Sequence, residues 1–236
     1  MDQAILHIAQ LSSIDAVLMH VQATGHRFGV LRQSYHFTPL FHSPVSSDTI
    51  IYADGYCPDW QTLYHNKDFR LHDPIPGRTL AKGRMLSWAD AIAMGAETPE
   101  QQEYFDAMER HGLRYGTGLP LFGPSNRTAY ASFDFGRPMT SEDEITAIKI
   151  RAVAQTAHLR ICEIFDRDLN FPPLSEREQE VMKWIARGKS NTDIGTIIGI
   201  SPETVRTYTK RIYEKLEASD RVGATIKALK LGIVTF

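Results

Sequence analysis

Apolar residues recur at helical spacing from the start of the chain. Ile5, Ile8 and Ala9, then Val17, Leu18 and Val21, predict helix over residues 2–24. Short segments at 28–36, 48–54, 117–122 and 128–135 are rich in aromatic or β-branched residues and bounded by Gly, Pro, Ser or Asn, which predicts strands. Residues 58–66 and 99–113 have helical patterning, and Ser141-Glu-Asp-Glu144 is a capping-box pattern that opens a long helix to about 166. Helices before and after a mostly antiparallel sheet predict an α+β chain whose N-terminal part is an α-β-α sandwich.

Asp168-Leu-Asn-Phe-Pro-Pro173 breaks this pattern, because paired prolines stop a preceding helix. Beyond it every signal is helical. Ser175-Glu-Arg-Glu178 is a capping box opening a helix with Val181, Trp184 and Ile185 on one face. Ser190-Asn-Thr-Asp193 opens the next, with Ile194, Ile197 and Ile198 expected inward. Gly199-Ile-Ser201 reads as a tight turn, and Ser201 caps a third helix with Pro202 at its first position, where a missing N–H costs nothing. Val205, Ile212 and Leu216 form that helix's apolar side, and a fourth helix follows Ser219-Asp220 with Ile226, Leu229 and Ile233. A short helix, a Gly-containing turn and a second helix opening Ser-Pro-Glu-Thr-Val is helix-turn-helix grammar.

Composition narrows the class of function. The apolar and charged fractions, 42% and 23%, suit a globular chain with a packed core. No apolar run is long enough to cross a bilayer, and the N-terminus lacks the pattern of a signal peptide, so the expected compartment is the cytoplasm, with no membrane partner. Cys57 and Cys162 belong to no CxxC or Cys/His cluster, which argues against a disulfide framework or a metal site. No cofactor is expected. Residues 174–236 carry 11 Lys and Arg against 8 Asp and Glu, while the rest of the chain carries 15 against 20, so positive charge gathers at the C-terminal end. Gly188-Lys189-Ser190 does not belong to a phosphate-binding loop, because the first motif glycine would fall on Lys183.

The third C-terminal helix is the candidate reader of double-stranded DNA. Its N-terminal turns would enter the major groove and present Thr204, Arg206, Thr207, Lys210 and Arg211. Arg206 can offer a bidentate fork to guanine, whereas Lys189, Thr204, Lys210 and Arg211 suit phosphate contacts that fix register. Upstream, Tyr56, Trp60 and Tyr64 stand at i, i+4 and i+8 on one face of a short helix, followed by Asp73-Pro74 and Trp88. Trp and Tyr combine apolar bulk with one hydrogen-bonding tip, which suits a ligand with an apolar tail and a polar head. A carboxylate facing that wall needs a donor, and a ligand amide N–H supplies one.

Both halves resemble known families. The C-terminal stretch resembles the LuxR-type DNA-binding domain through Leu-Ser-Glu-Arg-Glu178, Ala186-Arg-Gly-Lys189-Ser-Asn, Ile200-Ser-Pro-Glu-Thr-Val205-Arg and Ile212-Tyr-Glu-Lys-Leu216. The N-terminal stretch resembles the autoinducer-binding domain of LuxR-type quorum-sensing receptors through Tyr56, Trp60, Tyr64, Asp73-Pro74, Trp88 and His111-Gly-Leu-Arg-Tyr-Gly116. The resemblance implies residues 1–166 as an acyl-homoserine lactone binding and dimerisation domain, 167–173 as a linker, and 174–236 as a four-helix DNA-binding domain. It implies a homodimer on a roughly palindromic promoter site. By the same resemblance Trp60 donates its indole N–H to the lactone carbonyl, Tyr64 bonds the amide carbonyl and Asp73 accepts from the amide N–H. Trp88 packs on the lactone ring, Tyr56 and Phe105 wall the pocket, and Gly116 lets the backbone pass close by.

One position departs from the family pattern. In Ala129-Tyr-Ala-Ser-Phe-Asp-Phe135 the spacing places Asp134 at the head group where relatives carry Ser or Thr, with Ser132 as the alternative. Asp134 in the pocket would demand a polar group near the ligand amide. Dimer contacts are expected from Ile145, Ile148, Ala152 and Leu159 on the long helix and from Ala224 and Ala228 on the last. The alternative readings are a receptor of the same architecture that answers to another small molecule or to none, and a lactone or amide hydrolase using Asp73. No GxSxG, Cys/His pairing or metal-ligand spacing supports an enzyme.

Overall fold

The first helical run is interrupted by a cap of its own. In a computed structural model that describes residues 2–38, 49–66, 69–168 and 172–234, α1 spans Asp2–Gln10 and α2 spans Ile14–Arg27. Ser13 separates them because its Oγ accepts the Ala16 amide at 3.3 Å, a bond that starts a new helix. The strands follow as β1 (Arg32–Phe37) and β2 (Ile50–Asp54), the start of the segment expected at 48 lying outside the described residues. Next come α3 (Pro58–Asn66), α4 (Phe69–His72), α5 (Ile75–Lys82), β3 (Leu86–Ser87), α6 (Trp88–Ala93) and α7 (Pro99–Arg110). Strands β4 (Thr117–Phe122) and β5 (Thr128–Asp134) lead to α8 (Glu144–Asp168). Its entry differs from the expected Ser141 box: Thr140 and Asp143 form the capping box, and a 3₁₀ turn at Ser141–Asp143 precedes the helix. Arg137 locks that turn by gripping Asp143 at 2.7 and 2.9 Å.

The five strands form one antiparallel sheet in the order β2-β1-β5-β4-β3. Alternation along each strand divides the side chains between two layers. Tyr35, Phe37, Leu119, Leu121, Ala129, Ala131 and Phe133 point to one face, where Ile8, Val17, Leu18, Val153, Ala157 and Ile161 of α1, α2 and α8 complete a core. On the other face a second core gathers Trp60, Phe69, Ile75, Trp88, Tyr104, Met108 and Tyr130. The N-terminal part is thus the α-β-α sandwich of an α+β protein. Exposed apolar residues remain on α8: Ile145, Ile148 and Leu159 are 66%, 61% and 42% accessible.

The chain divides into two compact units, Met1–Gly123 with Arg127–Asp166, and Pro124–Asn126 with Arg167–Phe236. Of residues 167–173, those at 169–171 lie outside the described set. The second unit carries α9 (Glu176–Ala186), α10 (Asn191–Ile198), α11 (Pro202–Lys215) and α12 (Arg221–Lys230). Each begins on a side-chain cap, from Ser175, Ser190, Ser201 and Asp220 respectively. Two details differ from the sequence expectation. Ile197 is 44% exposed rather than inward, and on α12 it is Ala224 and Ala228 that are fully buried. Small residues one turn apart let α12 settle closely on the helical core, so these two alanines are unavailable to a dimer partner, whereas Val222 and Ile226 are exposed. Gly195 stands where α10 meets the turn: a Cβ there would lie 2.7 Å from the Ile200 carbonyl oxygen.

Candidate ligand pocket and nucleic-acid interface

A cavity of about 480 Å³ lies on the α3–α7 side of the sheet. Its floor follows from strand register. Ser34 pairs with Ser132 and His36 with Tyr130, so these four side chains point the same way and line it. Ile51 and Ala53 of β2 extend the floor, opposite His36 and Ser34. The walls are helical. Trp60 and Tyr64 sit one turn apart on α3 with Tyr56 just before it, and Tyr104 and Met108 sit one turn apart on α7. Asp73 occupies the turn between α4 and α5, and Trp88 is the first residue of α6.

The polar groups in this apolar setting are ordered. Ser34 and Ser132 hydroxyls meet at 2.7 Å, and the Tyr56 hydroxyl lies 3.5 Å from Ser132 Oγ. The Trp88 indole N–H donates to the Tyr130 hydroxyl at 3.1 Å. Tyr64 approaches Asp73 Oδ2 at 3.5 Å, and the Ile75 amide donates to Oδ1 at 2.9 Å. Among the described residues the Trp60 indole N–H has no hydrogen-bond partner, and its ring is held by Tyr64, Phe69, Tyr104 and His111. Burial pushes the Asp73 carboxyl up to about 7, although the Ile75 amide, the Tyr104 and Tyr64 hydroxyls and Arg78 all pull it down. Asp73 is one of the residues that line the cavity. Burial also pushes the Tyr56 hydroxyl up to about 12 and those of Tyr64, Tyr104 and Tyr130 well above the usual phenol range, so all four are neutral hydrogen-bonding groups.

Of the residues singled out from sequence, Tyr56, Trp60, Tyr64, Asp73 and Trp88 share this cavity. Three others do not line it. Phe105 is one residue on from Tyr104, which turns it about 100° around α7 into the core, where Arg78 lies 5.6 Å over its ring. Arg78 in turn donates to the Ala91 and Gly95 carbonyls, tying α5 to α6. Gly116 lies behind Trp88, whose amide donates to the Gly116 carbonyl at 2.8 Å. A Cβ at 116 would stand 2.3 Å from Trp88 ring carbons, so this glycine sets how deep the indole sits.

Asp134 is the third, and the expectation for it needs correcting. It lies on the same sheet face as Ser132, one step further along β5, but Arg32 holds its carboxylate at 2.6 Å and the Gly136 amide donates to it at 2.6 Å. Ser132 lines the cavity and Asp134 does not. Sequence reasoning missed Ser34, His36, Tyr104 and Tyr130. The i, i+4 pair Tyr104 and Met108 was a usable signal; the sheet residues needed the pairing register.

On α11, Val205, Thr209 and Ile212 are buried at helical spacing, a row continued by Leu216 at the helix's C-cap. Thr204, Arg206, Thr207, Lys210 and Arg211 occupy the exposed side, and Lys189 is exposed between α9 and α10. Their ion pairs are slack: Arg206 is 4.0 Å from Glu203, and Lys210 is 3.8 Å from Glu214. The scaffold beneath is firmer. Lys215 pairs with buried Glu178 at 2.7 Å, and Glu178 also accepts the Ser175 amide. Burial opposes ionisation of Glu178, but Lys215 and Ser175 outweigh it and hold the carboxyl below its ordinary range. Among the described residues no cluster of acidic, His or Cys side chains suits a metal ion, and no helix is long and apolar enough to cross a membrane.

Comparison with known proteins accounts for both units. Residues 13–161 match the autoinducer binding domain, and residues 172–228 match the luxR family of bacterial regulatory proteins. An HTH-type transcriptional regulator of Sinorhizobium fredii is 32% identical over 191 residues; the match covers 80% of this chain and 57% of that relative's length. The quorum sensing-dependent regulator RpaR of Rhodopseudomonas palustris is 27% identical over 235 residues, covering 95% and 94% of the two chains. The crystal structure of Escherichia coli SdiA shares the fold, with a TM-score of 0.77 at 21% identity, over 100% of this chain and 98% of that one. These relatives and both families are transcriptional regulators, not enzymes. The chain belongs to the LuxR family of transcriptional regulators, joining an autoinducer-binding domain to a LuxR-type helix-turn-helix.

Proposed function

We propose that this regulator is a quorum-sensing receptor for an N-acyl-homoserine lactone and binds a roughly palindromic promoter site as a dimer. The observation that carries the reading is the arrangement of polar groups in the cavity. A donor without a partner among the described residues, the Trp60 indole N–H, faces the same space as an acceptor, the Asp73 carboxyl. A lactone carbonyl and an amide N–H complement that pair. The long contact between Tyr64 and Asp73 leaves the phenol able to turn its proton to the amide carbonyl, with Tyr56 walling the same region. Trp88, fixed by Tyr130 and by Gly116 behind it, offers its ring face to the lactone.

Ligand filling this cavity completes the second core of the sandwich, so binding adds to stability. The exposed Ile145, Ile148 and Leu159 on α8 supply an apolar face for a second copy. Two copies of α11 then read two half-sites about one helical turn apart, with Arg206 on a base edge and Lys189, Thr204, Lys210 and Arg211 setting register. The test is mass spectrometry of small molecules released by denaturing protein purified after expression with mixed acyl-homoserine lactones. A stoichiometric lactone is the expected result. Folded protein that releases none moves the pocket to a different small molecule and overturns the lactone assignment.

A further inference from the structure

The lactone reading leaves several polar side chains of the cavity unused, His36 among them. His36 lies on β1 between Ile51 of β2 and Tyr130 of β5 and lines the floor beyond Ser34. Its ring meets Tyr130 edge-on at 5.3 Å and Tyr64 at 6.4 Å, which sets it beside the groups that flank Asp73. Among the described residues neither imidazole nitrogen has a hydrogen-bond partner, and neither is sealed in protein. Burial pulls the ring down to about 4, so at neutral pH it is an uncharged imidazole with one donor and one acceptor.

A part-buried imidazole with neither nitrogen bonded to protein presents a donor and an acceptor to whatever occupies the cavity. The surroundings point the same way. Aliphatic side chains contribute little to the lining, through Ile51, Ala53, Met108 and Leu113. The cavity is therefore no plain hydrocarbon sleeve. His36 thus stands against Tyr64 and Tyr130, and Tyr64 in turn reaches Asp73, where the proposed ligand amide binds.

We propose that His36 is a specificity residue that hydrogen-bonds an oxygen on the acyl group close to the amide, so that the receptor selects a 3-oxo- or 3-hydroxyacyl-homoserine lactone over the unsubstituted chain. This rests on the lactone reading above. It replaces Asp134, which Arg32 has already engaged, as the origin of any preference for a polar acyl group.

The experiment is titration calorimetry of the full chain with matched hexanoyl, octanoyl and dodecanoyl lactones, each unsubstituted, 3-oxo and 3-hydroxy. Wild type is expected to bind an oxygenated member about tenfold more tightly than its unsubstituted partner, the worth of one hydrogen bond. His36→Phe keeps a ring against Tyr130 and removes both nitrogens, so that preference disappears while the unsubstituted lactone binds at least as well. His36→Gln, which keeps a donor and an acceptor, retains part of it. A wild type that binds unsubstituted chains equally well overturns the proposal, whether or not the variants fold. So does a Phe variant that keeps the wild-type ranking. If no lactone of the panel binds wild type, the lactone reading fails and this inference fails with it.

Discussion

Replacing Asp73 by Asn separates the cost of the empty pocket from the gain on binding. In the empty protein the Asp73 carboxyl is held near 7, against an ordinary value of 3.8. A shift of this size corresponds to at most about 4 kcal/mol of destabilisation once the pH exceeds both values, with water in the cavity reducing it. The folded value is raised, so the contribution of Asp73 is intact below about 4 and is lost as the pH rises through 7. Asn keeps an oxygen for the Ile75 amide but has no charge to desolvate. The empty Asp73→Asn protein is therefore expected to match wild type near pH 4 and to exceed it at pH 8, by up to roughly 10 °C in Tm. Ligand binding moves the other way: an amide N–H on a carboxylate contributes about 1.5–3 kcal/mol, so lactone affinity falls roughly ten- to a hundredfold. Thermal unfolding of empty and lactone-saturated protein from pH 4 to 8 measures both effects. A variant less stable than wild type at every pH, by a constant margin, refutes the reasoning.

Gly116→Ala drives a Cβ into the Trp88 ring, and the displaced indole loses Tyr130. Lactone affinity is expected to drop at least about tenfold with a lower Tm, while an affinity within twofold of wild type, by calorimetry, counts against this role for the glycine. Glu178→Ala leaves Lys215 without its acid and the Ser175 amide without its acceptor. It is expected to cost the C-terminal unit about 2–4 kcal/mol, seen as loss of DNA binding on warming while lactone binding persists. Arg206→Ala should weaken the preferred duplex by about 1–3 kcal/mol and relax one base position, whereas Lys210→Ala weakens all duplexes alike and lowers the salt slope by about one. Equal effects of the two on specific and random DNA would disprove that division of labour.

The C-terminal helices were legible because their punctuation is local. Ser175, Ser190, Ser201 and Asp220 cap the helices they begin, and one turn of chain suffices to see it. Strands β4 and β5 were legible from composition, and α3 from its aromatic face. Helices α4, α5 and α6 were not, because four to eight residues give periodicity too little length. The two-residue β3 carries no pattern at all. Ser132 and Asp134 illustrate a different limit. Both face the same side of β5, so alternation cannot choose between them. The choice is made by Arg32, across the sheet and about a hundred residues away in sequence, which engages Asp134 and leaves Ser132 beside the cavity. His36 was hidden for the same reason, since only the pairing with Tyr130 places it on the floor.

The most direct test of a ligand-gated DNA-binding receptor is selection of duplexes from a random-sequence pool by the full chain, with and without the acyl-homoserine lactone that binds best in the calorimetric panel. The account predicts enrichment of a two-fold-symmetric site only when the lactone is present. The same site enriched to the same extent without lactone would contradict it.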